Sequence, residues 1–392
     1  FLALVANDQV NTRALSTHQF STDDAEKAYQ MITENTEPYL GVLLTYDLSN
    51  EIIERKVIVA ENQKSKLINL GLIGAGNHVK DRLLPALKNS ADVQLRAVCT
   101  QTGIKAKALA DKLQTEYCTT CYQDILADET INAVRIGTRH DTHAEIVGAA
   151  LKAGKHVFVE KPLCLSEEEL TDLQNIYRTV VTEKALSLTV GFNRRYSSHT
   201  KKVCDFFSKR RNPLVMSFRV NAGAIPADHW IQDTDTGGGR LIGEGCHFID
   251  FMAHVAGADP VSVYATGISR HESGITEDQS TVVLSFADGS VGTLIYAAMG
   301  DDRLAKERFE AFCDGTSVVI DDFSSTEFYA RGKKNSYRSS KQDKGFAEQM
   351  RIFERNVAEG SVSTTAFDRI VAVTRASIRA SRSIQTRTAY EV

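Results

Sequence analysis

The sequence lacks every feature that would mark a membrane, secreted or nucleic-acid-binding protein. Its longest apolar runs, such as Ala185–Val190, fall far short of the roughly 18 residues that cross a bilayer. No Lys/Arg-led apolar segment with a small-residue cleavage site opens the chain. Neither sign of charge prevails: Lys+Arg 46 against Asp+Glu 50 gives a net charge of −4, which excludes a broad electrostatic surface for DNA or RNA. Seven cysteines, an odd number at irregular spacings, do not make a disulfide framework and fit free thiols in a reducing cytoplasm. Only Cys118 and Cys121 form a C-x-x-C, and no second pair completes a zinc tetrahedron. With only six prolines, the turns are punctuated mainly by Gly and Asp-Gly. What remains is ordinary globular composition over 392 residues, enough for two or three domains with a cleft between them.

The chain reads as three pieces. Residues 1–62 read as a helix-like stretch, Thr22 to Glu34, and two apolar strands, Tyr39 to Asp47 and Glu51 to Val59, with no chemistry-bearing motif. Residues 63–190 alternate strand and helix: strands at Leu67–Ile73, Val93–Thr100, Ile131–Ile136 and His156–Glu160, helices at Lys80–Lys88, Lys105–Leu113 and His143–Ala153. That alternation predicts a doubly wound parallel sheet of α/β class. Residues 191–392 turn to longer β segments joined at Asp288-Gly289 and Asp314-Gly315, signals of hairpins in a large, open, mainly antiparallel sheet. A helix with Phe367, Ile370, Val371, Thr374 and Ile378 on one face closes the chain.

Gly74-Ala75-Gly76-Asn77-His78-Val79 stands after a strand and before a helix. There the first glycine permits a sharp turn and the second lets a pyrophosphate approach the backbone. The acid that binds a ribose 2′-hydroxyl at the end of the second strand is absent. Thr100 and Thr102, with Lys105 and Lys107 nearby, leave NAD and NADP both open. Ligands in such sheets bind beyond the carboxyl ends of the strands, which makes Thr138-Arg139-His140-Asp141-Thr142-His143 and Glu160-Lys161-Pro162 site candidates. The proline fixes the backbone beside Lys161, and a cis bond is one form it can take.

Four segments stand together along the chain: Gly71–Gly76, Ala150–Val157 leading into Glu160-Lys161-Pro162-Leu163, Gly191–Tyr196, and Gly237–Gly239 through Gly245-Cys246-His247-Phe248-Ile249-Asp250. On these, residues from about 66 to 392 resemble the glucose-fructose oxidoreductase / inositol dehydrogenase / rhizopine catabolism family, Gfo/Idh/MocA. The resemblance implies a Rossmann domain, a second α/β domain whose sheet builds a homodimer or homotetramer, and hydride transfer between nicotinamide and a carbinol carbon of a sugar, nucleotide-sugar or cyclitol. It places catalysis on Lys161, His247 and Asp250. It places cofactor contacts on Gly74, Gly76, Asn77, His78, Thr100, Thr138, His140, His143, Glu160 and Lys161. Three positions depart from the family pattern: Arg139-His140 for Pro-Asn, Thr100 for the ribose acid, and Gly243 for an aspartate four residues before the histidine, with Glu244 beside it as the candidate replacement. The first 62 residues resemble, locally, the carboxyl-terminal end of a medium-chain alcohol dehydrogenase, in His18-Gln19-Phe20, Asp24–Tyr29 and Pro38–Val42; a chain so composed would be cut from a longer fusion.

The chemistry suits these residue types. Removing hydride from a carbinol carbon also requires the hydroxyl proton to leave, and a base with a pKa near the working pH serves best. His247 reads as proton acceptor, Lys161 as hydrogen-bonding partner of the reacting oxygen, and Asp250 as acceptor for a substrate hydroxyl. On a helix beginning at Cys246, His247, Asp250 and His254 share one face. Asn193, Arg194, Trp230, Glu244 and His254 are candidate substrate contacts: tryptophan stacks a sugar ring and arginine holds an anion. Glu244, His247, Asp250 and His254 also have metal-ligand spacing, but a nicotinamide reaction with a base in place needs no metal. The basic run Arg331–Gly345 reads as a solvated loop or as a clamp on an anionic substrate. Two rival readings share the cofactor: a redox-neutral glycosidase or epimerase that retains its NAD, and a non-catalytic dinucleotide-binding module.

Overall fold

The computed structural model describes residues 4–5, 7, 9, 11–46, 55–60, 67–74, 76, 92–270, 274–360 and 364–392. The chain divides into two compact units, Phe1–Arg55 and Lys56–Val392. In the first, strands β1 (His18–Ser21) and β2 (Val42–Thr45) pair in parallel, and a helix, Ala25–Glu34, buries Ala28 and Met31.

The second unit holds two sheets. Strands β3 (Lys56–Ile58), β4 (Ile68–Ile73), β5 (Val93–Cys99), β6 (Tyr117–Thr119), β7 (Ala133–Ile136), β8 (His156–Val159) and β9 (Leu188–Val190) form the first, in the order β3-β6-β5-β4-β7-β8-β9. Every pairing is parallel except that of β3 with β6. All six residues of β4 are buried, as in a central strand covered on both faces. The expected strand Glu51–Val59 is described only over Lys56–Ile58 and joins this sheet's edge rather than the first unit. The expected helix Lys80–Lys88 lies outside the described residues. Cys118 is buried in β6 and Cys121 caps the next helix, Tyr122–Ala127, two elements too short to carry a periodic signal.

Strands β10 (Val215–Asn221), β11 (Pro260–Arg270), β12 (Gly274–Phe286), β13 (Val291–Ala297), β14 (Glu307–Cys313), β15 (Thr316–Asp321), β16 (Ser325–Ala330), β17 (Lys333–Arg338) and β18 (Tyr390–Glu391) form the second sheet. Its order is β17-β16-β15-β14-β10-β13-β12-β11-β18, and only the β10–β13 pairing is parallel. The hairpins at Asp288-Gly289 and Asp314-Gly315 fall between β12 and β13 and between β14 and β15, as expected. Burial alternates along β13, so one face of the sheet is covered and the other open. Helices Cys246–Ala256 and Thr364–Thr386 lie on the covered face, the latter burying Phe367, Ile370, Val371 and Thr374. Helix Phe346–Glu359 crosses back: Met350, Phe353 and Val357 pack with Leu70, Leu72 and Phe158 of the first sheet. This return keeps residues 56–392 in one compact unit.

Candidate active site

A cavity of about 1150 Å³ opens beyond the carboxyl ends of β4, β5, β7 and β8, where an open α/β sheet binds its ligands. β4 contributes Ile73, Gly74 and Gly76; β5 is followed by Thr100 and Gln101, β7 by Thr138–His143, and β8 by Glu160 and Lys161. The opposite wall comes from the second sheet and its connections: Arg194, Trp230, Glu244, His247, Lys306, Glu307 and Lys344.

The glycine loop fits a dinucleotide. Gly74 has φ +84°, and a Cβ there would stand 2.6 Å from the Gly137 carbonyl carbon and oxygen, so the backbones of the two loops meet because no side chain intervenes. At Gly76 a Cβ would meet nothing within 4 Å among the described residues, and the glycine lines the cavity, as close approach of a pyrophosphate requires. Past β5, Thr100 Oγ1 donates to the Thr102 carbonyl at 2.9 Å, and Lys105 lines the same end of the cavity. Asn77 and His78 lie outside the described residues.

The loop after β7 and the strand end at β8 form the middle of the site. The Lys161–Pro162 bond is cis. Lys161 Nζ donates to the Gly243 carbonyl at 2.6 Å, reaching from the end of β8 to the segment just before helix Cys246–Ala256. Glu160 pairs with the buried Arg135 at 2.6 Å. His143 is fully buried and its Nδ1 lies 2.7 Å from the Pro162 carbonyl; because a carbonyl only accepts, Nδ1 carries the proton. Burial pushes the His143 pKa down. Thr138 accepts from the Thr142 hydroxyl at 2.7 Å.

His247 lies one residue into helix Cys246–Ala256, lines the cavity, and has the Phe192 ring edge-on at 6.2 Å. A π-helical turn, Leu241–Gly245, precedes that helix. Such turns insert one extra residue and re-aim the side chains beyond them. Here the turn carries the Lys161 acceptor, Gly243, and the cavity carboxylate, Glu244. Glu244 accepts from Lys306 Nζ at 2.7 Å and from the Tyr296 hydroxyl at 2.5 Å. Burial works against its charge, but Lys306 and Lys161 prevail and hold its pKa at about 2.

Two assignments need correction. Asp250 is fully buried, does not line the cavity, and is gripped by Arg195 through Nε at 2.9 Å and through the second guanidinium nitrogen. One turn along its helix, it faces the segment Asn193–Tyr196 instead of the cleft, so it is not available to accept a substrate hydroxyl. His254 likewise stands away from the cavity, where burial and the nearby Arg195 and Arg369 lower its pKa to about 4. The helical stripe His247, Asp250, His254 therefore delivers one cavity residue, because the cleft meets only the first turn of the helix.

Of the substrate candidates, Trp230 and Glu244 line the cavity, but Asn193 is buried behind it, donating to the Lys344 carbonyl at 2.8 Å. Arg194 reaches the wall with its guanidinium already clamped on Glu307, Nε at 2.6 Å and Nη2 at 2.7 Å. Lys344 donates to the same carboxylate at 2.7 Å. Despite the burial that opposes it, Glu307 is held at about 2 by these cations. Sequence reasoning missed Lys306, Glu307 and Tyr296: the last two sit on ordinary-looking strands, Lys306 in the bend just before β14, and none carries a local motif. Of the basic run Arg331–Gly345, Lys344 lines the cavity, whereas Lys333–Arg338 is an edge strand with exposed charges. Among the described residues no three His, Cys, Asp or Glu side chains converge as a metal site.

Residues 68–192 match the model of an oxidoreductase family with an NAD-binding Rossmann fold, and residues 213–319 match the GFO/IDH/MocA C-terminal domain. A myo-inositol 2-dehydrogenase of Thermotoga maritima is 27% identical over 75% of this chain and 89% of its own. A dTDP-3,4-didehydro-2,6-dideoxy-α-D-glucose 3-reductase of Saccharopolyspora spinosa is 26% identical over 65% of this chain and 75% of its own. The crystal structure of an oxidoreductase domain protein from Kribbella flavida superposes with a TM-score of 0.71 at 20% identity, covering 83% of this chain and 99% of that one, a likeness of fold.

Proposed function

Because the chain belongs to the Gfo/Idh/MocA oxidoreductase family, whose two matched domains span more than half of it, we propose that it transfers hydride between NAD or NADP and a carbinol carbon of a sugar, nucleotide-sugar or cyclitol. The observation that carries this reading is the convergence of Lys161 and His247, from different domains, on the one cavity that Gly74 and Gly76 also line. The dinucleotide, held along Gly74, Gly76, Thr100 and Thr138, supplies the hydride acceptor or donor when bound. The chain manages the proton. Lys161, fixed by the Gly243 carbonyl, presents its remaining N–H groups to the reacting oxygen; His247 accepts the hydroxyl proton in oxidation and returns it in reduction. Arg194–Glu307–Lys344 and Glu244–Lys306 line the wall with alternating donors and acceptors, a surface suited to a ring bearing many hydroxyls. Trp230 offers such a ring an apolar face. Asp250, through Arg195, fixes the helix that carries His247 and takes no direct part.

In this reading residues 63–190 form the dinucleotide domain and 191–392 the substrate and oligomerisation domain. The open face of the large sheet, with Val283, Val291 and Ile295 exposed, would join copies into a homodimer or homotetramer. Seven free thiols suit a cytoplasmic location, and residues 1–62, with their likeness to an alcohol dehydrogenase end, are assigned no catalysis. A panel of cyclitols, aldoses, sugar acids and nucleotide-sugars, followed by the absorbance of reduced nicotinamide, tests the proposal. Turnover with at least one member is expected; dinucleotide binding without turnover on any would overturn it.

A further inference from the structure

His140 does more than border the dinucleotide loop. The residue is 7% exposed and lines the cavity. A Cβ built on Gly243 would stand 3.0 Å from His140 Cε1 and 3.4 Å from Nδ1, so the imidazole lies over the space that a side chain at 243 would enter. The carbonyl of that same glycine holds Lys161 Nζ. His140 Nδ1 lies 2.7 Å from the Gly237 carbonyl and must be its donor, which leaves Nε2 with a lone pair in the neutral ring. Nε2 is neither sealed away nor met by a protein group among the described residues. Gly237, Gly243 and the edge-on Trp230 ring at 4.8 Å all belong to the second domain, so His140 leans toward the wall that faces the substrate.

We propose that His140 is a substrate contact: a neutral imidazole whose Nε2 accepts a hydrogen bond from a substrate hydroxyl beside the Lys161 ammonium. The inference rests on the oxidoreductase reading and adds a residue that discriminates among polyols. Lys161 and His143, the charged and titratable groups facing the ring, both oppose its protonation, and burial opposes it more, so the acceptor persists. Lys161 supplies donors and no acceptor. A hydroxyl that donates to His140 while a neighbouring oxygen accepts from Lys161 is therefore oriented by two groups of opposite character.

The test uses the full chain with ¹⁵N-labelled histidine, the His140 resonances being those lost in His140→Phe. A neutral ring protonated at Nδ1 and unchanged from about pH 5 to 8 is expected; an Nε2–H tautomer or a titrating imidazolium overturns the proposal whether or not the enzyme turns over. With myo-inositol and D-xylose as probes, the Nε2 resonance should move when polyol joins NADH. Movement with NADH alone, repeated unchanged with polyol, assigns the lone pair to the cofactor and overturns it too. Kinetically, His140→Phe should raise KM for an accepted polyol about tenfold, the loss of one hydrogen bond, with NADH affinity within about twofold. His140→Gln, which keeps an acceptor, should recover part of that, and Gly243→Ala, which presses on Cε1, should raise KM while both nitrogens remain. An unchanged KM in His140→Phe sinks the inference and leaves the oxidoreductase reading standing. A wild-type chain that turns over no member of the panel sinks that reading instead.

Discussion

Replacing Lys161 by methionine keeps the length of the side chain and removes its charge, its donors and one cation from the field of Glu244. Removing one donor aimed at a reacting oxygen costs about 10²–10³-fold, so turnover should fall at least about a hundredfold, or about 2.7 kcal/mol of barrier. Fold stability should change far less. The 2.6 Å bond to the Gly243 carbonyl is lost, but so is the desolvation of a half-buried ammonium, leaving a net change of about 1 kcal/mol. The variant should also move Glu244. Its pKa is depressed in the folded protein, so its contribution to stability is present above the unfolded value and disappears as pH falls through about 2. Without Lys161, the pKa rises although Lys306, the buried Arg240 at 3.3 Å and the Tyr296 hydroxyl still hold it down, and the loss sets in at higher pH. The assay is turnover by reduced-nicotinamide absorbance on the best substrate of the panel, beside NADH binding by fluorescence and acid unfolding by circular dichroism. Near-normal turnover with intact NADH binding would refute the role given to Lys161; a collapse of NADH binding would show that the lysine serves the cofactor.

Other outcomes rest on single geometries. Gly76→Ala, whose Cβ meets nothing within 4 Å among the described residues, should leave the melting temperature almost unchanged and weaken dinucleotide binding, whereas Gly74→Ala, at φ +84° and 2.6 Å from the Gly137 backbone, should destabilise the fold by about 1–3 kcal/mol in urea titrations. With no acid after β5, NADPH should bind at least as tightly as NADH in fluorescence titrations, and Thr100→Asp should shift preference toward NADH; a strong NADH preference in the unmodified chain would defeat this reading. Arg194→Leu leaves Glu307, 1% exposed, with Lys344 as its remaining close cation and should cost about 3–5 kcal/mol, measured by denaturant unfolding. Because the Glu307 pKa is likewise depressed, to about 2, the unmodified chain should hold its stability above the unfolded carboxylate value and lose this contribution below it, while Arg194→Leu loses it at higher pH.

The parallel sheet was legible because covered strands write themselves as apolar runs and the cofactor turn as glycines; β4, β5, β7 and β8 all lie where those signals stand. Short elements were not, since β6 and β9, at three residues each, are too brief to show a period. The site was legible where a residue ends a strand, as Lys161 does, and illegible where its partner depends on packing. Asp250 and His247 share a helix face on paper, yet only the Arg195 guanidinium, brought up by the turn Asn193–Tyr196, decides that the carboxylate serves a buried pair.

The two departures at His140 and Gly243 show the same limit from the other side. Separated by about a hundred positions, a histidine in a loop and a glycine in a turn read as unrelated losses of the family pattern. Space joins them. A side chain at 243 and an imidazole at 140 compete for one volume above the Lys161 acceptor, since a Cβ at 243 would stand 3.0 Å from the ring. Exchange at one position therefore constrains the other: Gly243→Asp alone should meet the imidazole and displace it, while Gly243→Asp combined with His140→Asn frees the ring's volume for the new carboxylate. The double variant should recover more turnover than the sum of the single effects allows, a non-additivity read from a double-mutant cycle on kcat/KM. Additive losses would mean that the two residues act independently, and that the imidazole does not occupy the volume a side chain at 243 would need.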